Sequence, residues 1–169
     1  WIKEVEDAKD VPTITQEAVK ASLQPPGQVA TLIVPADCAW SESNEAATSK
    51  IERPRAALVD ETAVESAAMG LRSGEPAVIL LRGRALSAEG LEWASRIANK
   101  TKVRVFCDTF TSRIERGAGR ATVERLPYFP ELIVDTLAGT KHLIIVGSKP
   151  PVGFFAYPDK PSWLTPDDC

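Results

Sequence analysis

Residues 76–86 read PAVILLRGRAL. A run of apolar, β-prone residues stops at Arg82-Gly83-Arg84, and a helical pattern opens just behind it. Strand, glycine turn and helix in that order begin a nucleotide-binding loop, and they equally make the first corner of an ordinary α/β sheet. The segment AVILL (77–81) is apolar throughout, as a parallel strand covered on both faces must be. The stretch therefore sets a central parallel strand at 77–81 and makes the fold an α/β one.

The same alternation extends on both sides. Asp60 caps a helix whose Val64, Ala67, Ala68 and Leu71 fall on one face, and SGEP stops it. Ser87 caps the helix after the strand, with Glu89 in its first turn at the positive end of the helix dipole. Leu91, Ala94, Ile97 and Ala98 form its buried stripe. VRVFCD (103–108) reads as a second strand and TSRIERGAGRATVERL (111–126) as a long loop. FPELIVDTLAG (129–139) reads as a short helix, HLIIVGS (142–148) as another buried strand, and 149–169 as mostly loop. Helices alternating with continuous apolar strands predict right-handed crossovers and a Rossmann-like, doubly wound parallel sheet. Only three or four strands are visible and no helix follows the last, as expected of an incomplete sheet.

Upstream, Asp10 is expected to cap a helix carrying Pro12 in its first turn and Ile14, Val19 and Leu23 near one face. QPPG (24–27) ends it, and VATLIV (29–34) forms a strand stopped by Pro35. One helix and one strand bury no core by themselves, so residues 1–37 read as the tail of another domain. The polar, aperiodic stretch that follows reads as a linker, 38–54, with Trp40 anchored against a neighbouring domain. Residues 55–169 then form the α/β domain.

Composition bounds the function. Of 169 residues 44% are hydrophobic and 25% charged, enough apolar material for a real core. A net charge of -3 offers no bulk attraction to nucleic acid or an anionic membrane surface. No apolar run nears the roughly 20 residues a spanning helix needs, and WIKEVEDAKD has no signal-peptide pattern. The chain does not begin with Met, which suggests a piece of a longer protein. Cys38, Cys107 and Cys169 show no CxxC or Cys/His spacing, and an odd count argues against a disulfide framework. Reduced thiols and a cytoplasmic location are expected.

The order of these motifs resembles the thiamine-diphosphate-dependent enzymes of the acetolactate synthase and benzoylformate decarboxylase type. Their pyrimidine-binding domain closes with PG-x-V-x-L-x-x-P-x-D, and PPGQVATLIVPAD (25–37) has that form. A linker, a helix and a strand opening the central Rossmann-like domain follow in the family, as EPAVILLRGRAL does here. A later family strand, D-x-x-L-x-x-G-x-x before an aromatic-rich loop, is similar to HLIIVGSKPPVGFFAY (142–157). The resemblance implies a homo-oligomeric parent that decarboxylates a 2-oxo acid and ligates the thiamine-bound intermediate. It places thiamine diphosphate and magnesium outside this segment: the activating glutamate lies upstream, and the Gly-Asp-Gly metal motif, which this sequence lacks, belongs to a third domain. The segment's own contacts would be with the parent's other domains, and none of its residues is expected to be catalytic.

In acetolactate synthases the central domain holds FAD, in oxalyl-CoA decarboxylase-like relatives ADP, and in many decarboxylases nothing. The FAD binders place glycines after the first central strand, where Arg82, Gly83 and Arg84 stand here. Two bulky side chains fit a vacant or modified site better than a standard flavin site, although arginines at a strand's carboxyl end can clamp phosphate. The loop bearing Arg113, Arg116, Gly117, Gly119, Arg120 and Arg125 is either an electropositive cleft or a polar loop in water. Asp108 can accept a ribose hydroxyl or cap its loop, and Gly147 can let a ligand pass close or end its strand. Thr109 and Ser148 beside them complete the candidate set. His142, at a strand's beginning, lies away from the ligand edge, and Asp37 reads as a turn-former. Trp93, Phe106, Tyr128, Phe129, Phe154 and Phe155 read as packing residues. The rival reading is a free-standing FAD- or adenine-nucleotide-binding module without catalysis.

Overall fold

The computed structural model describes residues 1–25, 27–44, 50–55, 58–155 and 158–169. The middle of the expected linker (45–49), Pro26 of the Pro-Gly motif, and residues 156 and 157 of the aromatic loop lie outside the described residues. The chain forms two compact units, Trp1–Leu58 and Val59–Cys169.

The first unit holds β1 (Ile2–Glu4), α1 (Val11–Ser22), β2 (Thr31–Ile33) and α2 (Ala36–Trp40). β1, which the sequence pattern did not reveal, pairs in parallel with β2 from Ile2↔Thr31 to Glu4↔Ile33. Val5, Ile14 and Cys38 form the small core, with Leu32 against it. The buried face of α1 is Ile14, Ala18 and Ala21, whereas Val19 is exposed. Small residues let the helix approach, so the buried stripe runs one position off the large apolar residues. Asp10 makes no side-chain cap; Asp7 caps the preceding 3₁₀ turn by accepting from the Lys9 N–H at 3.0 Å. The expected linker opens with α2, Asp37 in its first turn, and Trp40 is 90% exposed.

The second unit is built on a parallel four-stranded sheet, order β5-β4-β3-β6. Its elements are α3 (Glu61–Arg72), β3 (Ala77–Leu81), α4 (Ala88–Thr101), β4 (Arg104–Cys107), β5 (Glu124–Arg125), α5 (Pro130–Leu137) and β6 (His142–Val146). The Rossmann-like α/β expectation holds. β3 sits between β4 and β6, with Val78↔Arg104 and Ala77↔His142 setting the registers, and its Val78, Ile79, Leu80 and Leu81 are all buried. Each such side chain contributes about 1.5–3 kcal/mol. Alternation sends Val78 and Leu80 to one face, with Phe106, Ile133, Leu137 and Leu164, and sends Ile79 and Leu81 to the other, with Leu91 and Ala94 of α4.

Local chemistry explains the helix starts. Asp60 accepts from the Thr62 N–H and hydroxyl, both at 2.9 Å, and Ser87 accepts from the Gly90 N–H at 3.3 Å. Three expectations change. The long loop contains β5, two residues pairing with Phe106 and Cys107, too short to leave a periodic signal. β6 is not a buried strand: among the described residues it pairs with β3 alone, its side chains are half-buried and Val146 is exposed. Ile97 of α4 is exposed, and Val64 on the predicted inner face of α3 is 54% exposed.

Candidate functional site

β3 leads through α4 to β4 on one side, and the chain later returns to place β6 on the other. That reversal puts a topological switch point between the carboxyl ends of β3 and β6, where open α/β sheets take ligands. The backbone ladder runs one residue past each strand there. The Arg82 N–H donates to the Val146 carbonyl at 3.0 Å, and the Asp108 N–H donates to the Leu81 carbonyl at 3.3 Å.

Four predicted site residues meet at this point. The Arg82 guanidinium reaches Asp108 Oδ2 at 3.1 Å, and the Ser148 hydroxyl donates to Asp108 Oδ1 at 2.5 Å. The Asp108 side chain is only 14% exposed. β4 and β6 flank β3 at about 10 Å from each other, two ladder spacings, so this carboxylate staples the ends of both neighbours across the central strand. Gly147 makes the closure possible. Its φ is +69°, and an added Cβ would stand 2.7 Å from the Arg82 carbonyl oxygen.

The remaining candidates serve separately. Thr109 donates its hydroxyl to the Pro127 carbonyl at 2.9 Å, and Arg125 donates to the Thr109 carbonyl at 3.4 Å, tying the segment after β4 to that after β5. Gly83, φ +61°, faces open space. Arg120 pairs with Glu115 at 3.2 Å, and the same Glu115 oxygen accepts from the Ala88 N–H at the start of α4 at 3.1 Å. Cys107 is fully buried, and burial pushes its thiol up against a weaker opposite pull from Arg125 and Arg116. His142 lies at the other edge, its Nε2 2.8 Å from Glu75 Oε2 and its ring against Gly70.

Two features escaped the sequence reading. An open groove of about 1200 Å³ runs between α3 and α4 over the sheet, lined by Val64, Ala68, Leu71, Trp93, Ile97 and Ile144, and it reaches Arg84 and Gly147. Trp93 thus does not pack inside; it carries Arg96 over its ring at 4.4 Å. The second feature is a cluster of half-exposed rings, Phe110, Tyr128, Phe129, Phe154 and Phe155, drawn from three separate loops. The Phe110–Phe154 and Phe154–Phe155 centroids stand 4.8 and 4.6 Å apart. Pattern along the chain shows aromatic residues but not which loops meet.

The chemistry of the edge decides what it can hold. A dinucleotide needs donors facing its pyrophosphate, and the best-placed donor here, Arg82, already faces a carboxylate. As they stand, these residues do not fit FAD. Among the described residues no group of three or more His, Cys, Asp or Glu side chains is arranged to hold a metal ion, and no helix is long and apolar enough to cross a membrane.

Parallel sheet, crossover helices and switch point define the second unit as a Rossmann-like α/β domain. No protein-family model matches the chain. Over all 169 residues it is 45% identical to "Putative acetolactate synthase large subunit IlvX" of Mycobacterium tuberculosis, and it spans about a third, 32%, of that protein's length. A solved structure described as a putative thiamin diphosphate-dependent enzyme from Mycobacterium smegmatis superposes on 98% of the chain and 31% of its own, with a TM-score of 0.66 and 20% identity. The chain is thus homologous, along its whole length, to a segment of an acetolactate synthase-like protein, and it has the fold of a segment of a thiamin diphosphate-dependent enzyme.

Proposed function

We propose that this chain is the central-domain segment of an acetolactate synthase-like thiamine-diphosphate enzyme and serves it as scaffold. The observation that carries this reading is the 45% identity extending over every part of the chain. In it, residues 1–37 end the pyrimidine-binding domain, 38–54 link, and 55–169 belong to the central domain. The parent decarboxylates a 2-oxo acid and ligates the resulting fragment. It holds thiamine diphosphate and magnesium on residues outside this segment, and works in the cytoplasm as a homo-oligomer. The segment's exposed groove and aromatic cluster are surfaces for the parent's other domains.

Within this reading the carboxyl-edge residues Arg82, Gly83, Arg84, Asp108, Thr109, Arg125, Gly147 and Ser148 shape the place where related enzymes take FAD or ADP, and they perform no chemical step. Arg82 is neutralised from within, so the parent is expected to work without flavin. The test is pyruvate-dependent acetolactate formation by the protein that carries this segment at its natural length, with thiamine diphosphate and magnesium, and with and without FAD. Turnover that needs thiamine diphosphate and ignores FAD supports the reading. Loss of turnover on removing FAD overturns the flavin-free part. Failure with every 2-oxo acid tried overturns the whole.

A further inference from the structure

The switch point carries the geometry of an anion site together with an anion of its own. Arg82 comes from the end of β3 and Ser148 from just past β6, the two strands that define the crevice. Both direct donors inward, and both donors end on one Asp108 carboxylate, at 3.1 and 2.5 Å. That carboxylate is largely screened from solvent, whereas the Arg82 side chain is half exposed, so the cation remains reachable from outside. Gly83 stands beside it in a left-handed turn with nothing within 4 Å of the place a Cβ would occupy. A guanidinium, a hydroxyl and an open glycine turn at the carboxyl ends of parallel strands are the parts from which a phosphate site is made. What differs here is that the negative charge belongs to the chain.

We propose that the switch point is an anion site filled by the protein's own Asp108 carboxylate, and that neutralising this carboxylate opens the site to a phosphate-bearing ligand such as a nucleoside diphosphate. Asp108 excludes the ligand in two ways. It holds one guanidinium nitrogen of Arg82 and the Ser148 hydroxyl, and its charge repels an approaching phosphate. The inference rests on the second unit being a Rossmann-like domain, and it does not depend on what the parent catalyses.

The experiment measures ADP binding to the full chain by calorimetry, with inorganic phosphate as competitor. Asp108→Asn keeps the size of the side chain and removes its charge. It is expected to bind ADP at least about tenfold more tightly than the unaltered chain, the size of one charge-assisted contact, and phosphate is expected to displace the nucleotide. Adding Arg82→Gln to Asp108→Asn must abolish the gain. Ser148→Ala is the second arm, useful even where Asp108→Asn fails to fold. It loosens Asp108 without removing the charge, and so must leave ADP binding at the level of the unaltered chain. The proposal is overturned by equal binding in the unaltered chain and Asp108→Asn, by a gain that survives loss of Arg82, by a gain that phosphate cannot compete away, or by a gain in Ser148→Ala. None of these results bears on the parent's turnover, so this inference and the proposed function fail separately.

Discussion

The four-stranded sheet carries polar side-chain contacts at both edges, and the two edges are built differently. At the amino edge, His142 meets Glu75 and Lys141 meets Asp168, each a single contact between partly or largely exposed side chains. At the carboxyl edge one shielded carboxylate takes an arginine and a hydroxyl from two other strand ends, beside a glycine that no other residue can replace without a clash. Exposed single pairs are worth little because water and salt compete for both partners. A shared, shielded carboxylate leaves two donors unmet when it is lost. The amino edge is therefore a surface with charges on it, and the carboxyl edge is part of the structure.

Substitutions along β3 and its neighbours rank this contrast. Leu80→Ala, in the middle of the central strand and 1% exposed, is expected to cost about 3–4 kcal/mol in urea denaturation, more than either edge. A smaller loss than at the edges would mean that the sheet is held by its ends. Gly147→Ala comes next, at about 2–3 kcal/mol, because it combines a left-handed φ with contact against the Arg82 carbonyl. Asp108→Ala should cost about 1–2 kcal/mol in the same assay. Glu75→Gln, its counterpart at the other edge, should stay within about 0.5 kcal/mol. Equal losses from Asp108→Ala and Glu75→Gln would erase the distinction between the edges.

The smallest effect is the pH dependence of the Lys141–Asp168 pair. The hydrogen bond and charge of Lys141 hold the Asp168 carboxyl below its ordinary 3.8, and the same contact holds Lys141 above its ordinary 10.5. A lowered acid contributes stability that is full above 3.8 and lost as pH falls through the folded value. The raised amine contributes stability that is full below 10.5 and lost as pH rises through its own. Thermal midpoints followed across the acid limb should fall slightly less steeply in Asp168→Asn than in the unaltered chain. That difference should vanish in high salt, because both groups lie in water.

Much of this was legible in the order of residues. The fully apolar AVILL is the central strand with its ends where the sequence put them, and Asp60 and Ser87 cap the helices they were expected to cap. Both signals are local, resting on burial of a short run and on one side chain reaching the next turn. β1 and β5 were missed because two or three residues have no period of their own and become strands only through their partners. The half-exposed state of β6 was missed because apolar composition does not say on which side of the sheet a strand ends. At the site, Arg82, Asp108, Gly147 and Ser148 were all singled out, but as separate donors or acceptors for a ligand. That they satisfy one another across three strands is a property of strand order, which no spacing along the chain displays.

The register of β3 has one more consequence, for the time in which the domain assembles. Ala77 pairs with His142, so the central strand waits for a partner 65 residues downstream, while α4 and β4 are at hand much earlier. Distant parallel pairings form late because a long loop must close before any contact rewards it. During synthesis from the amino end, β3 therefore spends an interval paired on one side only. The bond from Ser148 to Asp108 lies just past β6, so its formation marks the moment when β3 is paired on both sides.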